Sequence, residues 1–304
     1  MLLRDQSLPR KIVFDSFVLL IIWNVKKMRP KALVLRTAGT NCDKETTFAF
    51  KTAGAQADLY HINAIKETNN LSDYQIICIP GGFSYGDDLG AGKILSLELM
   101  LWLRDSIGKF IDKGGLMLGI CNGFQVLVKT GILPDLDFKQ KVTLTDNDSR
   151  RFEDRWVYLQ KPETSNQKPE RREENSERRE ARGEREKKPE DIWLRGMPEV
   201  FALPVAHGEG KFYAQEAVLD KIEKNNQVAL RYVNKEGATG SFPVNPNGSL
   251  NDIAGITDST GKILGLMPHP ERFMFKHQWP FWQQEDTVPF GLKIFQNAVS
   301  YFSG

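Results

Sequence analysis

The chain has 304 residues, with 41 Lys and Arg against 39 Asp and Glu and a formal charge of +2; 40% of residues are hydrophobic and 26% charged, which is the balance of a soluble globular protein. Five Lys and Arg against two Asp and Glu fall within residues 1–28, so the positive excess belongs to that end and gives no ground for nucleic-acid binding. Three cysteines, at 42, 78 and 121, lack CxxC spacing and leave an odd thiol, which argues against a disulfide framework and a four-cysteine zinc site and for a reducing, cytoplasmic compartment.

In chain order, the first feature is an apolar run over 17–23. It is far short of the roughly 20 residues needed to cross a bilayer, and no small-residue cleavage site follows it. Residues 1–28 read as an N-terminal extension, non-native or disordered, with Met28 as the functional start and no membrane span. A strand is predicted over 31–35, a helix over 44–52, and strands over 57–62 and 74–79, the last stopping at Pro80-Gly81-Gly82. A single long amphipathic helix is predicted over 94–113, closed by Gly114-Gly115, then an apolar strand over 116–120 and a helix through Lys129. Strand and helix alternate, and continuous apolar strands need cover on both faces. The fold class is therefore α/β, a doubly wound, mostly parallel sheet. Residues 161–191 carry ten Lys and Arg, ten Asp and Glu and almost no apolar side chain. They read as a solvated insert, disordered or transiently helical, because burial cannot offset their ordering entropy. Beyond the insert the pattern turns to strands at 200–203, 227–233, 253–257 and 263–267, an antiparallel extension of the same sheet, before a last helix over 289–301. The expectation is one domain over 29–304, interrupted by the insert at 161–191.

Three motifs carry chemistry. Gly119-Ile120-Cys121-Asn122-Gly123-Phe124-Gln125 places a cysteine between small residues at a strand-to-helix junction. Such an elbow lifts a nucleophile above the sheet, and the N-terminus of the following helix favours thiolate; the alternative is a buried structural cysteine. Met267-Pro268-His269-Pro270-Glu271-Arg272 offers a base and an orienting carboxylate. In an extended stretch residues i and i+2 point to one side, so Glu271 can hold His269; the alternative is a surface turn. Pro80-Gly81-Gly82-Phe83-Ser84-Tyr85-Gly86-Asp87 lets backbone N–H groups approach a ligand oxygen, and the N–H of Gly82 with that of Asn122 can form an oxyanion hole. A phosphate loop fails here, since five residues separate Gly86 from Gly92-Lys93 and Ile94 stands where Ser or Thr is required. Cys78 reads as core. Cys42 reads as a loop residue near the sheet edge, the alternative being a role in substrate or partner contact.

Together with Thr40-Asn41-Cys42-Asp43 and Ala206-His207-Gly208-Glu209-Gly210, these motifs resemble the triad (class I) glutamine amidotransferases, and among them the family of glutaminase subunits of phosphoribosylformylglycinamidine synthases. The resemblance runs from residue 29 to the C-terminus apart from the insert, and departs at residues 88–93. It implies a flavodoxin-like sheet and hydrolysis of glutamine to glutamate and ammonia. Cys121 would be the nucleophile, His269 the general acid and base, Glu271 its orienting partner. Gly81, Gly82, Asn122 and Gln125 would bind substrate and oxyanion, and His207 would lie near the site or the partner interface. It also implies a large synthetase subunit that uses ATP and Mg to convert formylglycinamide ribonucleotide to formylglycinamidine ribonucleotide, a small third subunit, and no cofactor in this chain. The rivals are a DJ-1-like cysteine hydrolase, which lacks the His-Pro-Glu string, and a non-catalytic regulatory subunit.

Overall fold

The apolar runs over Ile76–Ile79 and Leu116–Ile120 are buried at every residue. A strand without a polar face has to be covered on both sides, and a parallel sheet flanked by helices provides that cover. The computed structural model of the chain describes residues 29–68, 70–162 and 191–303. The extension at 1–28 and residues 163–190 of the charged insert lie outside the described residues.

The first half alternates strictly. Strand β1 (Lys31–Arg36) leads to helix α1 (Asp43–Thr52), β2 (Gln56–His61), α2 (Ile62–Thr68) and β3 (Ile76–Ile79). Helices α3 (Lys93–Trp102) and α4 (Arg104–Asp112) come next, then β4 (Leu116–Ile120) and α5 (Asn122–Lys129). The second half is mainly strand: β5 (Val142–Thr145), β6 (Glu153–Gln160), β7 (Val200–His207) and β8 (Lys211–Ala214), then α6 (Glu216–Lys224), β9 (Val228–Val233), β10 (Ile253–Thr257), β11 (Ile263–Leu266) and α7 (Phe290–Tyr301). Nine of the described strands form one sheet in the order β2-β1-β3-β4-β11-β10-β9-β6-β7, and β5 pairs with β8 in a small antiparallel sheet. From β2 to β11 the pairings are parallel; from β11 to β7 they are antiparallel. The α/β class with an antiparallel extension is as the sequence predicts.

The predicted single helix over 94–113 is instead two, α3 and α4. The break falls at fully buried Leu103, whose φ of −121° and ψ of 1° lie outside the α basin. The chain bends there without losing its ladder, since Leu103 N donates to Leu99 O and Ile107 N to Leu103 O. The bend keeps Leu99, Leu103 and Ile107 all in the core. Strands β5, β6 and β8 and helices α2 and α6 are additions to the predicted elements. β7 runs four residues past its predicted end, through Pro204, which an outermost strand tolerates because no neighbour needs its missing N–H.

Register brings the loops together. Ile79 pairs with Gly119, and Leu266 with Ile120, so β3, β4 and β11 end at one level and their following loops adjoin. The antiparallel half curls back over those ends: the amide of His269 donates to Pro204 O of β7 at 2.8 Å. At the opposite end of the β6–β7 ladder Gln160 pairs with Val200, and Lys161 is ion-paired with Asp191, so the two described ends of the insert meet away from the loops.

Leu118 is fully buried in the central strand β4. Leu118→Ala should cost about 2–5 kcal/mol in urea denaturation. Gly108, in α4 with open space where a Cβ would stand, should gain roughly 0.5–1 kcal/mol on Gly108→Ala.

Candidate active site

The elbow is a packing solution before it is a chemical one. Cys121 sits between β4 and α5 with φ of 51° and ψ of −105°, a conformation non-glycine residues rarely adopt, at a cost of about 1–3 kcal/mol. It is fixed from both sides: Cys121 N donates to Leu266 O at 2.8 Å, and its carbonyl accepts from Gln125 N at 3.1 Å. Two residues on, a methyl group at Gly123 would stand 1.8 Å from Ile79 O, so only glycine lets α5 start this close to β3. The helix N-terminus therefore faces the sulfur with positive partial charge.

His269 follows β11 on the next loop. Its Nδ1 lies 2.6 Å from Glu271 Oε1, and both residues are buried. The approach is made by a short 3-10 turn over Pro270–Arg272, not by the extended stretch that the sequence predicts. Burial would strip the proton from His269. The Glu271 carboxylate, with the Cys121 and Cys42 sulfurs beside the ring, overrides that and holds its proton affinity well above that of free histidine. The other ring nitrogen, Nε2, is buried and makes no hydrogen bond of good geometry among the described residues. The Cys121 thiol meanwhile points its proton at Ala206 O, 3.6 Å away.

The glycine loop after β3 is templated by the loop after β1. Cys42 N donates to Gly81 O at 3.2 Å, Phe83 N to Gly39 O at 3.0 Å, and Tyr85 N to Ala38 O at 2.7 Å. Because C=O and N–H of one trans peptide point in opposite directions, bonding Gly81 O to Cys42 turns the Gly82 N–H the other way. Among the described residues neither that N–H nor the N–H of Asn122 has a partner. A Cβ on Gly82 would fall 2.7 Å from Asn41 N.

These groups surround a cavity of about 400 Å³ lined by Cys121, His269, Gly82, Gln125, His207, Cys42 and Arg272, with Asp154, Phe152 and Glu209 along its wall. Glu271, Gly81 and Asn122 stand immediately behind that lining. The Asn122 amide donates to Asp87 Oδ1 and Gln125 Oε1, and Gln125 Nε2 donates to Glu209 O at 2.6 Å. Cys42, read from the sequence chiefly as a loop residue near the sheet edge, is a wall of the cavity. Burial pushes its thiol up to about 11, against the pull of His269 and Arg272, and Arg272 donates to both its sulfur and Glu45. Cys78 is core, as its sequence context predicts. Four residues of the site escape the sequence reading: Asn147 and Asn247, which hold His207, and Phe152 and Asp154 on the wall. The two asparagines are isolated polar residues in loop-like strings, which give no periodic signal; Asp154 lies in, and Phe152 immediately before, a strand that the sequence reading does not predict.

A doubly wound sheet with a cysteine elbow and a buried His–Glu couple at its C-terminal edge is the architecture of a glutamine amidotransferase domain. A family model described as a CobB/CobQ-like glutamine amidotransferase domain matches residues 29–169 and 167–302. The chain belongs to this family, in the branch formed by the PurQ subunits of phosphoribosylformylglycinamidine synthase. It is 44% identical over 276 residues to the PurQ of Dehalococcoides mccartyi, covering 89% of this chain and 97% of that one. With the PurQ of Methanococcus maripaludis identity is 39% over 295 residues, covering 91% and 99%. The solved structure of PurLQS from Thermotoga maritima aligns with a TM-score of 0.64 at 27% identity, over 90% of this chain and 99% of that chain.

His207 gives this site an acid signature. Burial, with the charge of His269 adding to it, lowers its pKa from 6.5 to about 3. A folded value below the unfolded one means that the unfolded chain takes up the proton first. Stability is unaffected above pH 6.5 and falls by up to about 1.4 kcal/mol per unit as pH drops from 6.5 towards 3. Urea midpoints measured from about pH 7 down to about pH 4.5 should therefore fall more steeply for the wild type than for His207→Gln. Parallel curves would contradict this.

Proposed function

We propose that this chain hydrolyses glutamine to glutamate and ammonia and passes the ammonia to a synthetase subunit that converts formylglycinamide ribonucleotide to formylglycinamidine ribonucleotide. The Cys121 sulfur attacks the side-chain amide carbon of glutamine. The oxyanion is taken by the free N–H groups of Gly82 and Asn122, which are already oriented and so need no reorganisation as charge develops. His269 accepts the thiol proton and delivers it to the departing ammonia, leaving a γ-glutamyl thioester. It then draws a proton from water, whose oxygen attacks the thioester and releases glutamate and the thiol. Glu271 holds the ring in one tautomer and stabilises its cationic form, the logic of a Ser-His-Asp triad.

The observation that carries this reading is the buried His269–Glu271 couple, whose second ring nitrogen is left unpartnered among the described residues, on the cavity that Cys121 also lines. That couple also counts against a DJ-1-like hydrolase and a non-catalytic subunit. Partners of the kind named in the PurLQS structure would receive the ammonia, and ATP chemistry would belong to the synthetase subunit. A cytoplasmic setting fits three cysteines that are all free. No helix among the described residues is long and apolar enough to cross a membrane.

Cys121→Ala should lower glutamine hydrolysis by several orders of magnitude, and Glu271→Gln should lower kcat by roughly 10³–10⁴-fold through loss of the tautomer constraint. Ammonia release assayed in the reconstituted complex reads both. Unchanged kcat in either variant would contradict the assignment.

A further inference from the structure

One wall of the cavity is the end of β7 and the loop behind it, and it contacts His269, Cys121 and Gln125. The outer edge of β7 pairs with no described strand, so its carbonyls are free for other uses. Pro204 O accepts from His269 N at 2.8 Å, and two residues on Ala206 O accepts from the Cys121 thiol at 3.6 Å. Glu209 O then accepts from Gln125 Nε2 at 2.6 Å. One short stretch thus sets the resting direction of the thiol and the position of an amide on the cavity wall.

Regular structure ends at His207, so something else must fix residues 207–210. That is Asn147, in the segment between β5 and β6, 1% exposed. Its main-chain N donates to Gly208 O at 2.9 Å. Its Nδ2 donates to His207 O at 2.8 Å and to Arg151 O at 2.9 Å, while its Oδ1 accepts from Gly210 N at 3.0 Å and lies 3.1 Å from His207 Nδ1. One amide side chain brackets both ends of the loop, with all its hydrogen-bonding capacity used. From the opposite side Asn247 Nδ2 donates to Gly210 O at 2.9 Å. The His207 ring fills the space between them, and a methyl on Gly210 would strike it at 2.3 Å.

We infer that Asn147 is a positioning residue of this centre: by bracketing residues 207–210 it holds Glu209 O against Gln125 and tethers the end of β7, where Ala206 O meets the Cys121 thiol. Its consequence for turnover rests on the glutaminase reading; its consequence for the thiol does not. Misplacing a reacting group by about 1 Å can cost on the order of 10²-fold in rate, whereas a loop that merely adds stability would leave the chemistry alone.

The test uses the full chain, alone and with its synthetase partner, as wild type and Asn147→Ala. Two readouts are taken: kcat and KM for glutamine, and the rate of Cys121 alkylation by iodoacetamide, followed by peptide mapping. The expected result is a roughly 10–100-fold fall in kcat/KM, with kcat lowered through the thiol and KM raised through Gln125, together with a several-fold change in Cys121 alkylation. A folded variant with wild-type kcat/KM and wild-type alkylation overturns the inference. If Asn147→Ala does not fold, the size-matched Asn147→Asp decides in its place, since it keeps an acceptor for Gly210 N but loses the donors to His207 O and Arg151 O. Wild-type behaviour in that variant overturns the inference equally. If the wild type itself fails to hydrolyse glutamine in the complex, the glutaminase reading falls and the alkylation rates still decide the role of Asn147.

Discussion

The close approach of α5 to β3 is the constraint on which the centre depends. A helix can start directly off a buried central strand only if the backbone turns sharply, and the turn here is taken by Cys121 in a conformation side chains disfavour. Gly123 makes the turn possible by leaving room for Ile79 O. The consequences are geometric: the sulfur stands at a helix N-terminus, the Asn122 N–H is left without an intrahelical partner, and the loop after β3 is pressed alongside. Strain at the cysteine is stored by the sheet on both sides and is part of how the side chain is presented.

Around that turn the protein solves an electrostatic problem. A buried imidazole beside a thiol would be a poor base, because burial favours the neutral ring. The Glu271 carboxylate reverses this at 2.6 Å, and the 3-10 turn over Pro270–Arg272 holds the pair at that spacing. Arg272, the next residue, donates to Cys42 and Glu45, tying the loop after β1 to the loop after β11. Four loops after four adjacent parallel strands thus share one set of bonds. The antiparallel half supplies the last wall through the free edge of β7.

The features legible in the sequence are those that local sequence carries. The elbow, the glycine loop and the His-Pro-Glu string each announce a backbone event within a few residues, and alternation of apolar strand and helix fixes the sheet class. The break at Leu103 is not legible, since the apolar pattern continues straight through it and only packing decides where the chain bends. Cys42 cannot be weighed from its own loop, because its place comes from register between β1, β3 and β11. Asn147 and Asn247 are farther still from reach. Their partners lie some 60 and 40 positions away along the chain, and a single asparagine in a turn-like string looks the same whether it is solvated or buried and fully bonded.

The central claim is that Cys121, and no other thiol, carries the glutamyl group during turnover. The direct measurement is acid quench of the complex turning over glutamine, then mass mapping of the peptides that hold Cys42, Cys78 and Cys121. A glutamyl adduct confined to the Cys121 peptide, and more abundant when deacylation is slowed, is the expected result. An adduct on Cys42, or none on Cys121 while ammonia is being released, would contradict it.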